Sequence, residues 1–471
     1  MSDAKWLDSP VGPLFAGADV VLSILIYLDA DSKFRDEFLP GLLAGVLRAS
    51  GARVDVLKNP VALDRTLLEQ YHEVWFLLTS SDPLDDLTPE EALSLRGWMD
   101  RGGGVLLAGD HAVKLSGVGE PDRFGGVGRR IGRLIPRARH MRIWDGLPDG
   151  LGSTFDTTEI ARDRRSLAKQ REQDPTPQRL LLPMIDGDEP HVIFRGPDDL
   201  LLDRLPDHRH EGRVVVPSSL TDEPGAIPAH VDEWLGTSVA PVIVARGIDW
   251  RRGTSSDVMA VWDGHAVPSA QDEAGPSSIT CGRILADSSW HHYVDFNLAS
   301  IAAASSGEWS DWAKIQALFI NQAAWLAPPT IRRRFRELAC AWVGKHDEFQ
   351  VEGLTDREIG ENTRRLLSLR LPGAWRHGVG RDLLADTSAA ALASNMPGDF
   401  ADVFMGAYMR RYASGGVTKP RLRSQRMRRE RQQLAPHPSD LLAEAIASYE
   451  DEVWHRQELW DPFRAALLAG Q

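Results

Sequence analysis

The alternation of short apolar runs with amphipathic segments in the first part of the chain constrains its fold most. Four runs rich in apolar and β-branched residues are predicted strands: Val20–Leu28, Arg53–Leu57, His72–Thr79 and Val105–Ala108. Helical patterns separate them, over Phe34–Ala49 and from a capping box of Thr88 and Glu91 through to Asp100. Strands that alternate with helices of this length favour a parallel sheet with helices on both faces. We therefore predict an α/β fold with a doubly wound, mainly parallel sheet.

The middle of the chain contains a predicted insertion, further strands and a closing helix. The βα pattern weakens over residues 117–188, which are rich in glycine and arginine and include the polar stretch Asp156–Pro177. Predicted strands return at His191–Phe194, Arg213–Val216, Pro241–Ala245, Val258–Trp262 and Arg283–Ala286. The helix Trp309–Leu326 ends before Pro328 and Pro329, because proline cannot continue a helix. We place a domain boundary there.

Residues 1–327 are therefore predicted to form the α/β domain, and residues 328–471 an all-α domain. Its helical patterns cover Ile331–Val343, Asp356–Leu371, Ala389–Ser394, Asp399–Tyr412 and Ser439–Leu468. A basic run, Lys419–Arg431, is either a solvated surface of this domain or a patch for phosphate or an acidic partner.

Charge and cysteine content exclude several classes of protein. The net charge of −13 and the pI near 5.6 argue against a nucleic-acid surface along the whole chain. Two cysteines, Cys281 and Cys340, cannot form a disulfide framework or a four-cysteine zinc site. The amino-terminal MSDAKWLDSP does not read as a secretory signal, and the apolar run Ala18–Leu28 contains Asp19 and is too short to cross a bilayer. We expect a cytoplasmic protein that does not contact a membrane.

Acidic, imidazole and hydroxyl groups cluster directly after four of the predicted strands. These groups are Asp29 and Asp31, Ser80 and Ser81, Asp110 and His111, and, after the last strand, Asp287, Ser288, Trp290, His291 and His292. In an open α/β sheet, ligands bind outside the carboxyl ends of the strands. If these strands are parallel neighbours, the four groups lie along one edge and form one site.

This set of residues supports two kinds of chemistry. His111 and His292, with nearby carboxylates, could bind a divalent metal ion that polarises a carbonyl group or activates a water molecule. Without a metal, a histidine oriented by an aspartate is a general base near neutral pH. The predicted catalytic residues are Asp110, His111, His291, His292, Asp29 and Asp31, and the predicted substrate-binding residues are Ser80, Ser81, Ser288 and Trp290.

Structural roles compete with these functional ones. Asp110 is about as well explained as the cap of the following helix. One of His291 and His292 is expected to point into the core, because successive strand residues face opposite sides of a sheet. Packing explains Trp290 better than substrate stacking does.

Two segments resemble one known family. Arg101–Ala112, RGGGVLLAGDHA, resembles the glycine-led strand and histidine of the ThuA-like proteins, a branch of the class I glutamine amidotransferase-like superfamily. Gly282–Leu298, GRILADSSWHHYVDFNL, resembles the closing strand of that family, in which a Gly-Arg pair leads to a histidine. The resemblance spans residues 18–326 and implies a flavodoxin-like sheet. It places His111, and His291 or His292, at the positions of the family's histidines.

The chain also departs from the pattern of the family that it resembles. Superfamily members that hydrolyse glutamine use a cysteine at the elbow after the glycine-led strand and a late His–Glu pair. Here Asp110 and His111 occupy the elbow, and no glutamate closely follows His292. Thiolate-based glutamine hydrolysis is therefore disfavoured. The ThuA-like proteins are linked to sugar metabolism, but the substrate cannot be transferred to this chain.

Three functions follow as hypotheses. The first is an enzyme that hydrolyses or isomerises a small polar, carbohydrate-like substrate through the Asp/His cluster, with or without a divalent metal. The second is a catalytically inactive scaffold or ligand-binding protein whose helical domain binds a protein partner. The third is nucleic-acid binding through Lys419–Arg431 and the arginines of residues 117–142, which the overall charge opposes.

Overall fold

The structure is a computed structural model, and it describes the parts of the chain that form the sheet and most of the predicted helices. The described residues are 16–17, 20–28, 39–58, 62–78, 89–109, 155–156, 177–186, 189–196, 200–206, 209–210, 214, 242–249, 254–266, 271–272, 275–276, 281–306, 310–344, 346, 348–368, 400–413 and 445–449.

A nine-stranded sheet forms the centre of the first part of the chain. Its strands are β1 (Ser23–Leu28), β2 (Arg53–Lys58), β3 (Glu73–Leu78), β4 (Gly104–Gly109), β5 (Gln178–Leu181), β6 (Arg204–Leu205), β7 (Val242–Asp249), β8 (Thr254–Trp262) and β9 (Ile284–Asp287). Four two-stranded pairs lie outside it: Ala16–Gly17 with Val20–Val21, Phe155–Asp156 with Arg209–His210, Met184–Asp186 with Glu189–Pro190, and Gln271–Asp272 with Gly275–Pro276.

The strands are arranged across the sheet in the order β6-β5-β7-β8-β9-β4-β3-β1-β2. β2, β1, β3, β4 and β9 are parallel neighbours, as the βα pattern predicts. The other half is antiparallel: β8 pairs with β9, β7 with β8, β5 with β7 and β6 with β5. The sheet is therefore mixed. β7 and β8 cannot be parallel neighbours, because only residues 250–253 join them and a parallel crossover needs about a dozen residues.

Helices cover both faces of the parallel part of the sheet. They are α1 (Gly41–Ala49), α2 (Arg65–Leu68), α3 (Pro89–Met99), α4 (Asp295–Ala304) and α5 (Asp311–Leu326), and the next helix along the chain is α6 (Pro329–Val343). Alternate strand residues such as Tyr27, Phe76 and Leu107 pack with Leu68 of α2 and Trp98 of α3 in one buried core. On the other face, α1 packs against α4 and α5, and α5 packs against β4 and β9. The α/β class predicted from the sequence is confirmed.

Some predicted elements differ from the observed ones. The strand predicted at His191–Phe194 is wrong, because Val192–Phe194 form a single 3₁₀ turn. The helix predicted from Phe34 is described only from Gly41, directly after Pro40. β5 lies within the predicted insertion, 117–188, yet it belongs to the main sheet. Of the strand predicted at Arg213–Val216, only Val214 is described.

The chain divides into two compact units, residues 1–332 and 333–471. The division falls inside α6, whereas the sequence places the boundary just before that helix. In the described part of the second unit, α7 (Asp356–Ser368) and α8 (Phe400–Ala413) are helices and no strand is present. No helix among the described residues combines the length and apolar character needed to span a membrane.

The α7 and α8 helices cross through a motif that each of them carries. The sequence Asp-x₃-Gly-x₃-Arg occurs as Asp356, Gly360 and Arg364 on α7, and again from Asp402 to Arg410 on α8. Arg410 Nε lies 2.7 Å from Asp356 Oδ1, and the reciprocal pair, Arg364 with Asp402, is 3.0 Å apart.

Glycine is needed at the centre of each copy of the motif. A Cβ atom at Gly360 would overlap the backbone oxygen of Asp402, and one at Gly406 would overlap that of Asp356. The two helices therefore meet backbone to backbone, with the same contacts made in both directions.

Candidate functional site

Four parallel strands end level with one another at the carboxyl edge of the sheet. Leu28 of β1 pairs with Leu77 of β3, Leu77 pairs with Ala108 of β4, and Ala108 pairs with Asp287 of β9. The prediction that these strands are parallel neighbours is confirmed. Of the residues predicted to meet at this edge, Asp29, Asp31, Ser80, Ser81, Asp110 and His111 lie outside the described residues.

Asp287, the last residue of β9, is the centre of a buried hydrogen-bond network. Its carboxylate is fully buried and accepts hydrogen bonds from Ser289 N–H at 3.0 Å and from the Tyr293 hydroxyl at 2.9 Å. Nδ1 of His292 lies 2.8 and 3.0 Å from its two oxygens. A buried carboxylate is stabilised only when it is paired and hydrogen-bonded, and this one has three partners within the turn that follows it.

Both ring nitrogens of His292 form hydrogen bonds with other residues of the protein. Nδ1 faces Asp287, which accepts hydrogen bonds, so Nδ1 carries the proton. Nε2 lies 3.0 Å from Nε2 of Gln178 on β5, and that amide nitrogen also donates to the Pro206 carbonyl at 3.0 Å. The Gln178 atom is therefore an NH₂ group, and Nε2 of His292 accepts its second hydrogen. To bind a metal ion through Nε2, His292 would have to lose this bond.

Tyr293 connects the same network to α5. Its hydroxyl accepts a hydrogen bond from Nε2 of Gln322 at 3.3 Å while it donates to Asp287. Its ring packs edge-on against Trp75 and at a tilt against Phe319. Burial raises the pKa of Tyr293 well above its ordinary value, and the charge of Asp287 adds to this effect. The turn after β9 is therefore fixed to β5 on one side and to α5 on the other.

His291 is the partly exposed member of the histidine pair, whereas His292 is fully buried. The expectation that one of the two points into the core is confirmed, although the cause is a 3₁₀ turn over Trp290–Tyr293 rather than strand alternation. The His291 ring stacks on Trp290 with centroids 3.8 Å apart and an interplanar angle of 27°. Asn297 of α4 donates to the His291 carbonyl at 2.9 Å, and the same amide nitrogen lies 3.3 Å from Nδ1.

The predicted substrate-binding residues of this turn are buried. Ser288 has no exposed surface and Trp290 is 3% exposed. The backbone N–H of Ser288 donates to the Val258 carbonyl of β8 at 2.8 Å. Trp290 packs against the His291 ring from this buried position.

The amino terminus of α1 also lies at the carboxyl edge, where many α/β proteins bind phosphate. Here Asp295 of α4 occupies it: its carboxylate accepts a hydrogen bond from Leu42 N–H at 2.6 Å and another from Gly41 N–H. Burial raises the pKa of Asp295, and these backbone hydrogen bonds oppose the rise. A side chain of the protein thus takes the place at α1 that a phosphate group would otherwise fill. No sequence pattern links Asp295 to a helix so distant in the chain.

The Gly-Arg pair before β9 has a structural role at the opposite edge of the sheet. Arg283 binds Asp263 with two hydrogen bonds, at 2.7 and 2.9 Å, and donates to the Trp325 carbonyl at 2.8 Å. Burial alone would raise the pKa of Asp263, but the charge and the hydrogen bonds of Arg283, together with two further basic side chains, hold the pKa well below its usual range. A Cβ atom at Gly282 would overlap the Gly103 carbonyl oxygen. The pair therefore holds β9 against β4 and α5, at the edge remote from the candidate site.

The described residues include no group of three or more histidine, cysteine, aspartate or glutamate side chains that could bind a metal ion. Both cysteines of the chain are buried. Cys281 precedes β9 at the remote edge, and Cys340 lies on α6. The basic run Lys419–Arg431 lies outside the described residues.

No family model matches the chain, and no curated protein matches it either. Among solved structures, it is similar to one described as the mmIFT52 N-terminal domain, with 14% sequence identity and a TM-score of 0.36, over 64% of this chain and 96% of that chain.

Proposed function

We propose that this protein is an enzyme of the amidotransferase-like class that hydrolyses or isomerises a small polar, carbohydrate-like molecule at the carboxyl edge of its sheet. The observation that carries the proposal is the register of β1, β3, β4 and β9, which end within one residue of one another across the sheet. The segments that directly follow these strands contain Asp29, Asp31, Ser80, Ser81, Asp110 and His111.

The strand order supports the flavodoxin-like, ThuA-like assignment. Numbered along the chain, the parallel strands run 2-1-3-4 and then β9, which is the order of flavodoxin-like sheets. Such sheets bind their ligands outside the carboxyl ends of the strands. The antiparallel strands β5 to β8 extend this core on one side.

Within this site, we assign the chemistry to His291, His111 and the carboxylates, and a supporting role to the buried network. His291 is partly exposed, whereas Asp287 and His292 are fully buried and bonded to one another. Asp110, Asp29 or Asp31 would supply the general base or, with His111, the ligands of a divalent metal ion. Because Cys281 is buried at the opposite edge and Asp110 and His111 follow β4 in place of a cysteine, the proposed reaction uses no thiolate.

The second candidate function is a catalytically inactive scaffold or ligand-binding protein. The Asp287–His292–Gln178 network favours it, because both ring nitrogens of His292 are hydrogen-bonded to groups of the protein. An Asp–His pair bonded in this way stabilises the fold and does not activate a substrate. In this case the helical unit would bind a protein partner.

Thermal shift measurements on the purified full-length protein, followed by a turnover assay with each ligand that stabilises it, would separate the two functions, because an inactive protein binds a ligand without converting it. The ligands would be sugars, sugar acids and divalent cations, tested on the natural protein, on His291→Ala and on His111→Ala. The enzyme hypothesis expects stabilisation by at least one ligand and its loss in both variants, with His346→Ala in the helical unit as the matched control. No response to any ligand, together with no metal in the purified protein, would favour the scaffold.

A further inference from the structure

The backbone carbonyl of His291 identifies which atom of the Asn297 amide faces it. A carbonyl oxygen can only accept a hydrogen bond, so the Asn297 atom 2.9 Å away must be the NH₂ group. The same nitrogen lies 3.3 Å from Nδ1 of the His291 ring. An NH₂ group has two hydrogens to donate, and the second one faces Nδ1. Nδ1 must therefore present its lone pair, which leaves the ring proton on Nε2.

We propose that Asn297 is a positioning residue that holds His291 as the Nε2–H tautomer, so that Nε2 of this ring acts in the site as a hydrogen-bond donor. This inference rests on the proposed function, and it names the role of one residue in that site. Stacking on Trp290 fixes the plane of the ring, and Asn297 fixes which nitrogen carries the proton. Both constraints come from residues that belong to the same turn or to the helix that follows it.

The neighbouring histidine, His292, is held as the other tautomer, with its proton on Nδ1. Asp287 accepts the Nδ1 proton of His292, and Gln178 donates to its Nε2. Two consecutive histidines are thus fixed as different tautomers by different partners. The difference provides an internal reference, because any change at Asn297 should alter the first ring and leave the second unchanged.

The tautomer limits what His291 can do. A general base or a metal ligand acting through Nε2 needs a bare nitrogen there, whereas a ring with a proton on Nε2 polarises a carbonyl or hydroxyl oxygen. A fixed donor of this kind costs no reorganisation when negative charge develops on that oxygen. In this tautomer His291 pairs with an acceptor oxygen, such as the oxygens of a carbohydrate, and cannot abstract a proton through Nε2.

Nitrogen-15 NMR of histidine-labelled full-length protein tests this directly, with no ligand present. Natural protein at neutral pH should show His291 protonated at Nε2 and His292 protonated at Nδ1, with His291→Ala identifying the signals. Asn297→Asp replaces the donor with an acceptor, so Nδ1 of His291 should gain a proton. Asn297→Ala should give a mixture of the two tautomers. The His292 signals should stay unchanged in both variants.

The proposal is overturned if His291 of the natural protein carries its proton on Nδ1, or if both Asn297 variants keep the natural pattern. Should Asn297→Asp fail to fold, the natural protein and Asn297→Ala still decide the question. Because the spectra need no ligand, their outcome is independent of the ligand screen. If no ligand stabilises the protein but the tautomers are as expected, only the proposed function is wrong. If a ligand stabilises the protein but His291 has the other tautomer, only the role of Asn297 is wrong.

Discussion

At the scale of single residues, His291 and His292 follow one another in the same turn, yet their side chains have very different surroundings. The ring of His292 is hydrogen-bonded to Asp287 and Gln178, whereas the ring of His291 is partly exposed and stacks on Trp290. The sequence predicts that one of the two is buried, but it cannot say which one. That choice depends on Gln178, Asn297 and Gln322, which contact the turn from other elements. Long-range partners of this kind leave no local pattern in the sequence.

The buried network predicts unequal effects for the two histidines. His292→Ala leaves the Asp287 carboxylate buried without its main partner, and should lower the free energy of unfolding by about 3–5 kcal/mol. His291→Ala removes a partly exposed ring and should cost less than about 1.5 kcal/mol. Urea unfolding followed by circular dichroism measures both losses.

His292→Asn is the control for this comparison, because its amide NH₂ can occupy the position of Nδ1 and donate to Asp287. It should recover part of the lost stability. Equal losses for His291→Ala and His292→Ala would contradict the assignment of the network as the fixed wall of the site.

Glu73 at the start of β3 predicts a pH-dependent stability. Its side chain is fully buried, and Oε2 accepts a hydrogen bond from Trp75 Nε1 at 2.8 Å. Burial raises the pKa of Glu73 well above its ordinary value, and the bond from Trp75 opposes this only in part. The folded state therefore holds the proton more tightly than the unfolded state does. The resulting stability is complete below the unfolded pKa and is lost as the pH rises through the folded one.

Glu73→Gln keeps the shape and cannot ionise, so its stability should stay flat where that of the natural protein falls. The difference in free energy of unfolding between the two should grow as the pH rises from 4 towards 9. Glu69→Gln is the matched control, because Glu69 is exposed and Arg65 lowers its pKa. A constant difference across this range would show that Glu73 ionises as easily in the folded protein as in the unfolded one.

At the scale of elements, the sequence predicts the long, apolar elements and misses the short, polar ones. β1 to β4 and β9 lie within a few residues of their predicted positions, and all except the edge strand β2 are apolar runs buried on both faces. β5 and β6 leave no such signal, since they are short and contain Gln178, Arg179 and Arg204. Their place in the sheet is set by pairing with distant strands, which periodicity does not report.

The crossing of α7 and α8 predicts a strong effect of adding a single methyl group. Gly360→Ala or Gly406→Ala would place Cβ against the backbone of the opposite helix, which cannot move aside as a flexible side chain can. Each change should destabilise the helical unit by about 1–3 kcal/mol. Hydrogen exchange of the α7 and α8 amides measures the loss.

The matched control is Gly45→Ala in the middle of α1, where a Cβ atom meets nothing within 4 Å. Alanine should stabilise that helix by about 0.5–1 kcal/mol, because it has the higher helix propensity. If Gly360→Ala also stabilised its helix, the close approach of the two backbones would be wrong.

At the scale of the whole molecule, two units with separate cores share one chain. The core of residues 1–332 is built on the sheet, with Trp75, Phe76 and Trp262 among its largest fully buried side chains. In residues 333–471, Phe400 packs against Phe404 and Tyr449. The sequence predicts this division from the change in hydrophobic period near Pro328, but not its place inside a continuous helix, because α6 runs through it without a break.

Separate cores predict that the two units unfold in separate steps. Multidomain chains depart from two-state unfolding when each domain buries its own core. With increasing urea, hydrogen exchange measured by mass spectrometry should show one transition for peptides of residues 1–332 and another for those of 333–471. His292→Ala should move the first transition to lower urea and leave the second in place, and Gly360→Ala should do the reverse. A single transition that both variants move together would mean that the chain folds as one cooperative body, since energy lost at either core would then be shared by both.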